Sequence, residues 1–342
     1  MKNKLLAVIL SFVCIIGCAF ALPACSLTDG VLEYTKIDGG YEVAKRKDNS
    51  AKKITIPATF KNEPVISIGE WAFEDCKNLE SVEIPDSVTT IKVGAFHYCT
   101  NLAKVNIPAG VTSIENCTFE GCNISSVEIH AGIAYIGDSA FRNCGSLEYI
   151  TVSRDNAFYH SAGNCLIQTE TKTLILGCKN SKIPSDGSVD NIGYYAFYGC
   201  RELKNIEIPD SVTYIGQGAF AYCVGLTRLT IPEGVITIEG YAFGDCSGLE
   251  RIIMPASVAL VGANAFEGCK SLEFIFYKGT AVQWNLIEFK YSHTYFDTYF
   301  LEAKRYDYSE ENPFVGGVDV GRFWHYSDGR IVIWTDNGDA LI

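Results

Sequence analysis

The chain has 342 residues, 28 Lys and Arg against 40 Asp and Glu, a formal net charge of −12 and 48% hydrophobic residues. This is the composition of a folded chain, and the length alone would allow two ordinary domains. The acidic balance excludes nucleic-acid or anionic-membrane binding as the main task, because both need a basic face.

The first 24 residues read as a secretory leader. Met1-Lys-Asn-Lys4 is a short basic region and Leu5 to Ile16 is apolar. Without residues 1–24, which carry Lys2 and Lys4 and no acid, the charge becomes −12 − 2 = −14. Three endings compete. Leu22-Pro-Ala-Cys25 resembles a bacterial lipobox, with Cys25 as lipid attachment site and new N-terminus; Ile15-Ile-Gly-Cys18 is the alternative at Cys18; Ala19-Phe-Ala21 fits ordinary cleavage. Lipidation would tether the chain to a membrane by acyl burial. No later segment has the ~20 apolar residues of a spanning helix. An extracytoplasmic, cell-surface location is expected, lipid-anchored or secreted.

Residues 25–53 are expected to form an N-terminal cap. Leu32-Glu-Tyr34 and Tyr41-Glu-Val43 flank Asp38-Gly-Gly40, a hairpin signal. A solenoid end exposes the apolar core of its last coil, so an atypical terminal unit is required.

Residues 54–276 repeat. Ala-Phe recurs at Phe73, Phe96, Phe141, Phe197, Phe220, Phe243 and Phe266, with Thr-Phe at Phe119, in steps of 23, 23, 22, 56, 23, 23 and 23 residues. Cysteine follows each Phe by three residues, at Cys76, Cys99, Cys122, Cys144, Cys200, Cys223, Cys246 and Cys269. An alternating run then closes on Ile-Pro, as in Val82-Glu-Ile84-Pro85: Val82 and Ile84 point inward, Glu83 outward, and Pro85 ends the strand. Such a period means a solenoid. Roughly nine coils of parallel strands would stack to roughly 40–45 Å. Gly69, Gly137, Gly193, Gly216 and Gly262 suit a tight bend or a positive φ.

The pattern Leu-x-x-Val-x-Ile-Pro-x-x-Val-x-x-Ile-Gly-x-x-Ala-Phe-x-x-Cys resembles the BspA-type leucine-rich repeat of bacterial surface proteins. The resemblance implies a right-handed leucine-rich-repeat solenoid, with a parallel β-sheet on one face and short helical or turn segments opposite. It also implies a binding or adhesion role without catalysis. Gly is displaced at Lys92-Val93-Gly94, and His130 replaces Pro.

The 56-residue step holds an insertion at about 153–182. Cys165-Leu-Ile-Gln and Thr173-Leu-Ile-Leu flank Thr169-Glu-Thr-Lys172 and read as a hairpin projecting from one enlarged coil. If Glu170 pairs Thr173, Cys165 faces Cys178, a candidate disulfide. From 277 to 342 the repeat stops, and an aromatic-rich C-terminal cap with a hairpin at Ser327-Asp-Gly329 is expected.

No catalytic constellation emerges. The cysteine column lacks the paired C-x₂-C of zinc sites and reads as an interior row of reduced thiols. His97, His130, His160, His293 and His325 are scattered. No catalytic residue, cofactor or metal ligand is assigned. Outward strand positions bring Arg228, Arg251, Ile253, Phe274 and Phe276 together at one end; arginine with aromatics is hot-spot composition, although the two phenylalanines could instead meet the cap. The expected function is a non-enzymatic, monomeric surface binding or adhesion protein with a protein or glycan ligand, no nucleic acid, and membrane contact only through a lipid. The alternative is a structural spacer of the cell envelope.

Overall fold

In a computed structural model, the structure describes residues 27–28, 30–46, 50–290, 298–310, 321–335 and 338–341. Cys18 and Cys25 lie outside these residues.

Most coils have a return strand, a run of turns and a front strand; residues 203–208 carry no front strand. The return strands Asn191–Ile192, Tyr214–Ile215, Thr237–Ile238, Leu260–Val261 and Glu288–Phe289 pair in parallel. The front strands Arg228–Thr230, Arg251–Met254, Phe274–Tyr277 and Lys304–Tyr308 do the same. The turn segment is tied to the next coil by its backbone, as in Phe197 N to Ala219 O at 2.7 Å and Phe220 N to Ala242 O at 2.7 Å. Backbone groups are therefore paired between coils on three faces, which lets strands of two residues persist.

The expected helical pieces are absent from the described repeat coils, which carry turns instead. Two residues in most coils are left-handed: Trp71, Gly94, Cys117, Tyr195, Gly218, Tyr241 and Asn264 before the Phe, and Asp75, Tyr98, Gly121, Asn143, Gly199, Tyr222, Asp245 and Gly268 after it. A right-handed helix cannot pass through such residues. The glycines expected at positive φ are not the left-handed ones. Gly216 and Gly262 are there for contact: an added Cβ would stand 2.9 Å from the Gly193 carbonyl carbon and 2.2 Å from Gly240 N, respectively.

The core is columnar. Phe73, Phe96, Phe119 and Phe141 stack ring on ring, and so do Phe197, Phe220, Phe243 and Phe266, with centroids 4.9 to 5.6 Å apart. Between the two stacks lies the insertion. Its hairpin, Cys165–Gln168 with Thr173–Leu176, does not project. Leu166 and Leu176 pack into the first core cluster, Ile167 and Leu174 into the second. Apolar residues on both faces of these strands require burial on both faces. Gly177 takes the place of a stacked ring, because a Cβ there would stand 2.1 Å from the Phe197 ring.

The front ladder comes in blocks. Lys53–Thr55, Ser81–Glu83 and Lys104–Val105 form one, Ser126–Ile129 and Tyr149–Val152 a second, and Arg228–Thr230 opens a third. The first gap falls at the 22-residue step, where Cys122-Asn-Ile124 is one residue short. Asn106 turns back on the preceding coil there: its Oδ1 accepts from Ile84 N at 2.8 Å and its Nδ2 donates to Ile84 O at 2.7 Å.

Both ladders run past Tyr277, where the motif ends. Phe300 stacks on Phe266 at 4.6 Å, Glu288–Phe289 extends the return ladder and Lys304–Tyr308 extends the front. Trp324 is fully buried and donates Nε1–H to the Tyr277 carbonyl at 3.0 Å.

Candidate binding surface

Strand register decides the front face. Arg228, Arg251, Phe274 and Lys304 stand in one column, and Thr230, Ile253, Phe276 and Tyr306 in the next. Arg228 is exposed; Arg251, Ile253 and Phe274 are half-buried. Phe276 has no exposed surface. Tyr306 covers it with ring centroids 5.7 Å apart and Trp324 at 5.5 Å, so Phe276 leaves the candidate face and joins the core. Phe274 lies beneath the Lys304 ammonium, 5.4 Å from its centroid, and Lys304 also pairs with Glu273 at 3.3 Å. What remains open on this face is Arg228 beside the partly covered Arg251 and Ile253.

The candidate disulfide is absent: Cys165 and Cys178 are free thiols. The hairpin closes earlier than Glu170 opposite Thr173. Gln168 pairs Thr173, and an irregularity between Leu166 and Ile167 shifts the register. Cys178 Sγ accepts from Asn164 Nδ2 at 3.1 Å, whereas Cys165 Sγ lies toward the Gly163 and Lys182 carbonyls.

The cysteine column has a hydrogen-bond logic. Cys99, Cys122 and Cys144 donate S–H to the carbonyls of Phe73, Phe96 and Phe119 at 3.0 to 3.1 Å. Cys223, Cys246 and Cys269 donate to Phe197, Phe220 and Phe243 at 3.2 Å. Each thiol points to the preceding coil in parallel with the next, and all are free. Burial pushes Cys200 and Cys246 up to about 12. The thiolate is the nucleophile and metal ligand, so Cys200 and Cys246 serve packing rather than chemistry.

The turn face carries what sequence reasoning missed. The left-handed slots place Trp71, Tyr98, Tyr195, Tyr222 and Tyr241 along one stripe. Several rings lie across a glycine of the following coil: a Cβ on Gly94 would stand 2.1 Å from the Trp71 ring, on Gly121 2.9 Å from Tyr98, and on Gly218 2.7 Å from Tyr195. Trp71 is 40% exposed and Tyr98 37%. His97 bridges the first two rings, with centroids 5.0 Å from Trp71 and 4.4 Å from Tyr98. Arg142 spans the insertion, with its guanidinium 4.7 Å from the Tyr195 centroid and 4.5 Å from that of Tyr198. Its Nε lies 3.6 Å from the buried Glu120 carboxylate, which His97 approaches at 4.0 Å; a buried acid needs such partners. Beyond it, Tyr198 meets Tyr222 at 5.2 Å, Tyr241 donates its hydroxyl to the Asp245 carboxylate, and the Tyr222 and Tyr241 hydroxyls share a hydrogen bond at 3.2 Å. Burial, then the hydrogen bond to Asp245, raises the Tyr241 phenol well above its usual range. The signal was present as columns two residues before and after each Phe, but alternation with glycine hid it.

The family model described as the BspA type leucine rich repeat region (6 copies) matches residues 66–186 and 175–295. The chain belongs to this family. The two BspA-type matches overlap at residues 175–186, from the end of the hairpin onward. Among solved structures, this BspA-type chain is similar to a leucine-rich repeat protein from Eubacterium ventriosum, 20% identical with a TM-score of 0.61, covering 81% of this chain and 82% of that one. It is similar to the pneumococcal vaccine antigen PcpA, 18% identical with a TM-score of 0.60, covering 84% and 94%. These two likenesses bear on the fold. A leucine rich cell surface protein from Faecalibacterium prausnitzii is 27% identical over 77% of this chain and 97% of that one, with a TM-score of 0.42. No curated protein matches the sequence.

Proposed function

We propose that this BspA-type protein is a non-enzymatic surface binding protein that holds a protein or glycan ligand across its turn face. One observation carries the reading. Trp71, Tyr195 and Tyr241 occupy a left-handed slot that Gly94 and Gly218 fill in neighbouring coils. A bulky residue costs about 1–2 kcal/mol there relative to glycine, so the scaffold does not need the rings. Resting on backbone with an outer side toward solvent, they have the rigid aromatic character of binding hot spots. The leader-like residues 1–24 support an extracytoplasmic place, with Cys25, Cys18 or Ala21 setting the mature start and a lipid on either cysteine the only membrane contact. The raised pKa values of Cys200 and Cys246 disfavour nucleophilic chemistry at those thiols.

The test applies the full chain to immobilised matrix proteins and glycans side by side. Saturable binding that soluble ligand competes away is expected. No binding to either class would overturn the reading in favour of an envelope spacer.

A further inference from the structure

The insertion hairpin does more than fill the core. On the return face it floors a groove of about 310 Å³ between Asp138 on one side and Tyr194 and Tyr214 on the other. The hairpin strands supply Gln168 and Thr173 to the floor, and Asn191 joins from the next return strand. This groove exists because the hairpin separates the coil of Asp138 from the coils of the two tyrosines.

Its chemistry is mixed in a specific way. Tyr194 is 43% exposed, and the Tyr214 hydroxyl donates to the Tyr194 hydroxyl at 3.4 Å, tying the two side chains together. Gln168 Oε1 accepts from Thr171 at 2.8 Å, which leaves its amide N–H groups as donors. Asn191 Nδ2 donates to the Thr171 carbonyl at 3.3 Å, which leaves its Oδ1 as acceptor. Asp138 is exposed and adds a carboxylate acceptor. Fixed donors and acceptors lie beside exposed aromatic surface, and no lysine or arginine lines the groove.

We propose that this groove is a subsite for a neutral pyranose glycan. Every sugar hydroxyl both donates and accepts, so it matches a wall that offers both. The C–H face of the ring matches aromatic surface, which is hydrophobic yet tolerates polar edges. An anionic ligand would meet Asp138 with no compensating cation. A wholly apolar ligand would find one aliphatic side chain, Ile175, and would strand the amides without partners. The volume is at the small end of ligand sites, about 300–1,000 Å³, which suits one ring of a longer chain. The proposal rests on the reading of the protein as a binding module and adds a ligand class and a second face.

The experiment is saturation-transfer NMR on the full chain with neutral oligomers of glucose, mannose, galactose and N-acetylglucosamine, repeated with Tyr194→Ala, Tyr194→Phe and Asp138→Asn. At least one oligomer is expected to bind. Tyr194→Ala and Asp138→Asn should each weaken it at least tenfold, while Tyr194→Phe keeps most of the affinity because the ring remains. Circular dichroism confirms that the variants stay folded. Binding that survives both Tyr194→Ala and Asp138→Asn overturns the groove and leaves the binding-module reading intact. Binding of no neutral oligomer, beside saturable binding of a matrix protein, does the same. Capture of a basic peptide that Asp138→Asn abolishes, with no oligomer bound, would assign the groove to a cationic ligand and overturn the glycan.

Discussion

Replacing Cys246 by alanine should make the stability of the chain less sensitive to alkali. Cys246 has no exposed surface and donates its S–H to the Phe220 carbonyl at 3.2 Å. Burial pushes its pKa up to about 12, whereas a thiol of the unfolded chain titrates at about 8.5–9. As pH rises through that window the unfolded chain gives up a proton that the folded chain retains, so stability falls. At pH 10 the unfolded state gains about 1.4–2 kcal/mol from this one thiol, and at pH 7.5 about 0.1 kcal/mol or less. The substitution itself removes a weak hydrogen bond and a small buried group, a cost of roughly 1–2 kcal/mol. The parent should therefore exceed Cys246→Ala by that amount at pH 7.5 and be nearly level with it at pH 10. Urea unfolding followed by circular dichroism, under reductant at both pH values, measures the gap. A gap that stays constant would refute the reasoning, as would thiolate absorbance from folded Cys246 below pH 10.

Phe220→Ala should destabilise more than Phe73→Ala. Phe220 stacks on Phe197 at 4.9 Å and Phe243 at 5.3 Å, while Phe73 stacks on Phe96 at 5.1 Å near one end. Each loses about 3–5 kcal/mol, the second stacking partner adds about 0.5–1.5 kcal/mol, and equal urea midpoints would contradict a coupled column. Gly163→Ala should cost more than Gly187→Ala in thermal unfolding. Both are left-handed, but a Cβ on Gly163 would stand 1.9 Å from the Lys182 carbonyl oxygen, and on Gly187 it meets nothing within 4 Å; equal losses would show that the hairpin base relaxes freely.

The scaffold was legible because its core residues recur at a fixed step. Phe220, Cys223, Leu226, Leu229 and Ile231 are all buried, as inward alternation requires. For Phe276 the sequence leaves two readings open, an outward ligand face or a surface under the cap, because alternation places it outward and does not say which residues cover it; Tyr306 and Trp324 return from far along the chain to do so. Phe300 was invisible for a related reason: it extends the ring column without the motif around it. The insertion hairpin was legible as a hairpin, but its depth depends on two core clusters meeting across it. The turn-face stripe was hidden by a backbone property. Register two residues before each Phe aligns Trp71 with Gly94, but that the slot they share is left-handed is something neither residue type announces.

The most direct measurement compares the parent chain with a combined Trp71→Ala, Tyr98→Ala and Tyr222→Ala variant, in urea unfolding and in binding to whichever immobilised matrix protein or glycan the parent captures. These rings lie on the turn face outside the buried columns. The expected result is an unfolding midpoint close to the parent's with binding weakened at least tenfold. Unchanged binding by a folded variant would contradict the claim that ligand recognition lies on the turn face of this scaffold.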